Sequence, residues 1–220
     1  MNITYLYQGD VVHGVKGDYR IRQAICNFVR EENISTESLF NNKVTIMSEP
    51  EISLQLMQFE KELYFGNLGE IERAERGKPF LKNLPIEFSV TNCGDIWACT
   101  ISDKKCGLDI QDDRKTKKDY LQLAERFYSS KELEYVKETG REGFFQIWVR
   151  KETFGKYTGQ GFFGEMPEMA KDGCLLNKTE YGDKILNFKP LYPAVNSDKK
   201  IYALLCTEDS EAGEISDIEF

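Results

Sequence analysis

Between Phe144 and Gly161 the chain reads FFQIWVRKETFGKYTGQG, an amphipathic run with a glycine-rich exit. Phe144, Ile147, Trp148 and Phe154 recur at helical spacing and predict a helix with a core-facing stripe. Glu152 stands one turn after Trp148, at the border of that stripe, and Lys156 follows one turn later. Arg150 and Lys151 flank them. An acid held on a rigid, half-buried helix among cations suits a phosphate-and-metal site. The same spacing also suits a surface ion pair between Glu152 and Lys156. On this helix alone the ion pair is the simpler reading, and segments upstream shift the balance.

A chain of 220 residues with 40% hydrophobic side chains can bury a real core, as one large domain or two small lobes. A formal net charge of -8 argues against a nucleic-acid partner. The six cysteines, Cys26, Cys93, Cys99, Cys106, Cys174 and Cys206, match neither a zinc framework nor a C-x-x-C pair. Most sit in apolar runs and read as buried free thiols of a reducing, cytoplasmic compartment. MNITYLYQGD lacks a basic leader and a long apolar run, so neither a signal peptide nor a membrane partner is expected. His13 is the single histidine and a weak candidate for acid–base chemistry.

Alternation predicts a strand over 2–7, and Ile21, Ala24, Ile25, Phe28 and Val29 share one face of a helix over 17–32. Arg20, Arg22 and Arg30 read as solvated cations of that helix, with contact to an anion as the alternative. A strand is expected near Lys43–Met47, a mobile region between 33 and 50, and a helix over 52–65. Gly77-Lys78-Pro79 breaks regular structure. Strands over 86–92, 96–102 and 106–111, joined by tight turns, predict an antiparallel meander. Asp109 stands inside the last of them, where an acid is disfavoured unless it is paired or binds something. The charged run 112–120 is expected to face solvent. A helix is expected over 118–129, and Ser129 with Glu132 forms a capping box that opens another, which Gly140 ends. A hairpin over 174–188, a strand over 201–206 and a frayed acidic tail complete the chain. Helices mixed with antiparallel strands predict an α+β fold.

Four segments then stand in one order: GKPFL (77–81), FSVTNCGD (88–95), CGLDIQ (106–111) and WVRKETFGK (148–156). Together they resemble the Sfp-type 4′-phosphopantetheinyl transferases. That family carries a GKP segment, an F-N-(hydrophobic)-S-H-S-G-like strand and turn, a G-(I/V)-D-(I/V)-E strand and a W-x-x-K-E-x-x-x-K helix. The resemblance implies two similar α+β lobes in one monomeric chain: 1–105, then 106–207 with the metal-binding motifs, then a tail over 208–220. Coenzyme A would lie in the cleft between the lobes. It also implies a magnesium-dependent transfer of the phosphopantetheine arm of coenzyme A to a serine of an apo acyl or peptidyl carrier protein. Adenosine 3′,5′-bisphosphate would be released. The carrier would serve fatty-acid, polyketide or nonribosomal-peptide synthesis.

By the same resemblance, Asp109 and Glu152 ligate magnesium, and Glu152, directly or through a water, takes the serine proton. Lys156 and Lys151 face phosphate oxygens. Lys78 lies near the adenosine and its 3′-phosphate, with Gly77 and Pro79 beside the adenine, and Thr91 offers a hydroxyl to a phosphate. Two positions depart from the family. Its histidine is Asn92, an amide without charge, so binding of the 3′-phosphate is expected to be weaker unless another cation such as Arg20 or Lys16 compensates. Its second acid is Gln111, a weaker metal ligand. Basic residues at 114–118 are a candidate patch for an acidic carrier. The departures motivate an alternative: a non-catalytic module of the same fold that holds coenzyme A or a carrier.

Overall fold

The computed structural model describes residues 2–9, 15–32, 57–63, 70–82, 84–113, 119–162, 164–195, 197–208 and 214–217. His13, the strand near Lys43–Met47, the region 33–50 and the basic run 114–118 fall outside them. Two four-stranded sheets organise these residues, beside two small ribbons, β2 (Ile71–Arg73) with β3 (Pro79–Leu81) and β7 (Ala170–Lys171) with β8 (Cys174–Leu175). The first has the order β12-β1-β5-β4, from β1 (Asn2–Gln8), β4 (Glu87–Cys93), β5 (Ile96–Ser102) and β12 (Glu214–Asp217). The second has the order β6-β11-β10-β9, from β6 (Cys106–Asp112), β9 (Lys178–Tyr181), β10 (Lys184–Leu191) and β11 (Ile201–Thr207). Helices and mainly antiparallel sheets make the fold α+β, as expected.

Helix α1 (Val15–Glu31) covers the first sheet with Ile21, Ala24, Ile25, Phe28 and Val29, the stripe its spacing predicts. Its arginines are not simply solvated. Arg20 is buried with its guanidinium 4.0 Å from the Tyr7 ring centre, Arg22 donates to the Leu63 carbonyl, and Arg30 pairs with Glu60. Residues 57–63 are helical, within the span predicted for a helix.

The second sheet is covered by α2 (Tyr120–Phe127) and the long α3 (Ser130–Thr158). The capping box is present at the start of α3, between Ser129 and Glu132. Gly140 breaks the helix with φ 70° and ψ -148°, where the sequence places a boundary.

Strict alternation makes each sheet two-faced. In β5, Trp97, Cys99 and Ile101 join the core under α1, while Ile96 and Ala98 join a third core. In β11, Leu204 and Cys206 face α3, while Ala203 and Leu205 join that same third core. The sheets therefore share an apolar layer, completed by Leu6, Cys93, Leu108 and Ile110. Period-2 side-chain geometry explains why every residue of β5 and β6 is buried.

Two expectations are corrected. Strands β4 and β5 form the predicted hairpin, but β6 does not complete a meander. Both edges of β5 are taken by β1 and β4, so β6 pairs with β11 in the other sheet. The acidic tail also does not simply fray: Glu214–Asp217 pairs in parallel with β1 and adds an outer strand to the first sheet. A hydrophilic segment can do this because an edge strand needs only backbone partners on one side.

Candidate functional site

The sheets meet edge to edge at β4 and β6, and the contact is made by side chains. Leu108 N–H donates to Ser89 Oγ at 2.9 Å, and Ile110 N–H donates to Thr91 Oγ1 at 3.3 Å. Two hydroxyls of β4 thus satisfy alternate amides on the free edge of β6, which otherwise would be buried without partners.

The opposite face of β6 presents Gly107, Asp109 and Gln111 toward α3. A Cβ on Gly107 would lie 2.2 Å from the Thr153 carbonyl oxygen and 2.5 Å from the Tyr157 amide nitrogen. Only glycine permits this approach, and the approach brings the last turns of α3 down onto the strand. Asp109 follows two residues later on the same face. It is 2% exposed. Its Oδ1 accepts from Lys156 Nζ at 2.8 Å and from Thr91 Oγ1 at 3.0 Å, and its Oδ2 accepts from Gln111 Nε2 at 2.6 Å. The buried acid that the strand pattern flagged is therefore paired on both oxygens.

Lys156 also lines a cavity of about 180 Å³. Its wall includes Arg76, Gly77, Lys78, Pro79, Ser89 and Val90 on one side and Gly155, Gly159 and Gly161 on the other. The GKP segment reaches it as the turn of a ribbon between β2 (Ile71–Arg73) and β3 (Pro79–Leu81). The glycine-rich exit folds back on the helix: the N–H groups of Gly159 and Gly161 both donate to the Gly155 carbonyl, at 2.9 and 3.2 Å. A Cβ on Gly155 would sit 2.7 Å from Gly161 backbone. Arg76 ties the two walls by donating to the Gln160 carbonyl. Three cations therefore surround one small cavity. Lys78 is the most enclosed, donating to the Cys106 carbonyl at 3.2 Å and lying 3.8 Å from Glu87. Burial holds its ammonium below the ordinary lysine range. The same burial pushes the adjacent Cys106 thiol up to about 12, which keeps it protonated and unreactive.

The sequence-predicted residues thus divide. Gly77, Lys78, Pro79 and Lys156 share the cavity, and Asp109, Gln111 and Thr91 stand behind Lys156 in one hydrogen-bonded group. Glu152 is half-buried, one turn before Lys156 on the same helix face. Its carboxylate, after burial and Glu132, helps push the Tyr128 phenol upward. The Lys156 ammonium pairs with Asp109 on β6.

Lys151 is elsewhere. Its ammonium is 3.0 Å from Glu132 Oε2, with the two side chains 6% and 0% exposed. One residue in a helix rotates the side chain by about 100°, so Lys151 and Glu152 face different neighbours. Thr91 gives its proton to Asp109, which leaves it none for a phosphate. Asn92 is half-buried, and its Oδ1 is buried without a hydrogen-bond partner. Arg20 lies over Tyr7, and the Lys16 side chain falls outside the described residues. Reading the sequence missed Arg76 and Ser89. A cation directly before GKP, and strand alternation backward from Thr91, were the signals that pointed to them.

Among the described residues, no cluster of three or more His, Cys, Asp or Glu side chains could hold a metal ion. Two carboxylates and one amide are nevertheless a hard-oxygen donor set of the kind magnesium takes, with phosphate oxygens completing it. The residues fit such an ion in chemistry.

Residues 105–185, which include Asp109, Glu152 and Lys156, match the 4′-phosphopantetheinyl transferase superfamily. The 4′-phosphopantetheinyl transferase Sfp of Bacillus subtilis strain 168 is 34% identical over 92 residues, covering 40% of each chain. The transferase psf-1 of Bacillus pumilus is 34% identical over 95 residues, 41% of this chain and 40% of its own. The transferase gsp of Aneurinibacillus migulanus is 29% identical over 93 residues, 40% of this chain and 38% of its own. The matched stretch thus spans about two fifths of these relatives. No helix among the described residues is long and apolar enough to cross a membrane.

Proposed function

We propose that the chain transfers the 4′-phosphopantetheine arm of coenzyme A to a serine of an apo acyl or peptidyl carrier protein. One observation carries this reading. The GKP turn and the end of α3, far apart in sequence, wall one cationic cavity, and Lys156 joins that cavity to the buried Asp109. The proposed organisation is two lobes, 1–105 and 106–207, with coenzyme A at the seam between them.

In the reaction a bond forms between the serine oxygen and the β-phosphorus, and the bond from that phosphorus to the adenosine 3′,5′-bisphosphate breaks. Such transfers depend on positioning and on cations placed where charge develops. Arg76, Lys78 and Lys156 supply those cations here. Asp109 and Glu152 would hold magnesium, with Gln111 beside them. The ion, when bound, neutralises charge on the diphosphate oxygens. Glu152 takes the serine proton, directly or through one water, as a base within hydrogen-bond reach must. Lys151 has no part in this, because Glu132 occupies it. A monomer in the cytoplasm, with coenzyme A and a carrier as its partners, is the setting this chemistry implies.

The test is to incubate the protein with coenzyme A, magnesium and several apo carriers and to weigh the carriers. A gain of one phosphopantetheine is expected. Gln111 in place of a second acid and the orphaned Asn92 oxygen support a second reading, a module that binds coenzyme A without turnover. Coenzyme A binding with no mass gain on any carrier would select it.

A further inference from the structure

Ser89 and Thr91 are twins. They lie two residues apart on β4, both are buried, and each oxygen accepts an amide hydrogen from β6. Each hydroxyl therefore has one proton left to give. Thr91 gives its proton to Asp109 Oδ1 at 3.0 Å. Ser89 is 2% exposed and meets no acceptor among the described residues, yet it lines the cavity between Lys78 and Lys156.

A buried hydroxyl proton without an acceptor is unfavourable, and it is satisfied when an anionic oxygen enters the cavity. Fixing the oxygen on Leu108 N–H restricts where the O–H bond can swing, so the donor is aimed in advance.

We infer that Ser89 donates a hydrogen bond to a phosphate oxygen of the ligand, and that Thr91 is instead a positioning residue for Asp109. This assignment rests on the proposed transferase reading for the identity of the ligand. It reverses the role that the family resemblance implies for Thr91. It also makes the β4–β6 seam part of the site, because one row of hydroxyls both joins the sheets and serves the ligand.

The two side chains provide their own control, since removing either hydroxyl leaves one β6 amide without its acceptor. Titration calorimetry of the full chain with coenzyme A, in chelator and without metal, reads the difference. Ser89→Ala is expected to weaken binding about tenfold, the effect of one hydrogen bond to a charged group. Thr91→Val is expected to stay within about twofold, because its hydroxyl does not face the ligand. In turnover, Thr91→Val lowers kcat more than it raises KM, and Thr91→Ser restores kcat. If Ser89→Ala does not fold, Ser89→Cys has a similar volume and a weak donor, and carries the same expectation.

Equal affinities for wild type and Ser89→Ala, or equal losses in Ser89→Ala and Thr91→Val, would overturn the inference. Wild-type protein that binds inorganic pyrophosphate but not coenzyme A removes the transferase reading alone. The Ser89 assignment is then decided by the same variants against pyrophosphate. Binding of neither overturns both.

Discussion

Helix α3 carries two lysines, five residues apart, that each pair with a buried carboxylate, and the two pairs have opposite characters. Lys151 and Glu132 are closed off, with both side chains almost wholly buried. Glu132 also accepts from the Ser129 and Met169 amides at 2.9 and 2.8 Å, so the pair stitches the start of α3 to its second half and to the following loop. Lys156 and Asp109 differ in one respect: the lysine side chain is 29% exposed and opens on the cavity. A sealed pair has no ligand to meet and is structural. A pair with one open side can exchange its internal counterion for an external one. Charge pairing by itself does not mark a site; access does.

The largest expected effect falls on the two carboxylates proposed to hold the metal. Asp109→Ala or Glu152→Ala should lower turnover about a thousandfold or more, the several kcal/mol that a bound divalent cation supplies to such a reaction. Gln111→Ala should cost less. Carrier mass gain per minute measures all three, and a greater loss in Gln111→Ala would mean that the ligand set is misassigned.

Next comes the sealed pair. Glu132→Ala leaves an ammonium buried without its carboxylate and should destabilise the fold by about 3–5 kcal/mol. Urea unfolding measures this, and the folded fraction should still bind coenzyme A normally. Reduced affinity at full folding would erase the distinction between the pairs.

Lys156→Ala should show the reverse pattern. Coenzyme A affinity falls by about tenfold or more, as for loss of a charge-assisted contact. Stability falls by less than in Glu132→Ala, because the cavity admits water to solvate the carboxylate left behind. Calorimetry and unfolding on one sample make the comparison.

The smallest effect sharpens the picture of the cation wall. Burial makes Lys78 release its proton at lower pH than an ordinary lysine. Only the protonated form attracts phosphate, so affinity is expected to be full on the acidic side and to decline as pH rises through that lowered value. Lys78→Arg should remove the decline, because arginine stays charged. An alkaline profile unchanged by Lys78→Arg would assign the titration to another group.

Much of this was legible in the chain. The capping box at Ser129 and Glu132, the break at Gly140, the stripe of α1 and the hairpin β4–β5 follow local rules of hydrogen bonding and periodicity. The unease of an acid in an apolar strand pointed to Asp109, helical spacing set Lys156 one turn after Glu152, and only the family resemblance joined Lys156 to Asp109. What failed depended on distant partners. Strand β6 reads like the third strand of a meander, but the edge it needed was already filled by β1. The acidic residues 214–217 carry no core-facing pattern, yet they pair with β1. Lys151 looked equivalent to Lys156 until Glu132 was seen to hold it.

The sequence by itself determined which segments form helices and strands, where the glycines must lie, and which carboxylates and cations are available for chemistry, because those properties depend on residues a few positions apart. Only the tertiary structure decided which cation meets which acid, and which of two equivalent hydroxyls gives its proton to Asp109. Those outcomes depend on where β4, β6 and α3 meet, and that meeting is fixed by close packing at Gly107 and the apolar layer between the sheets.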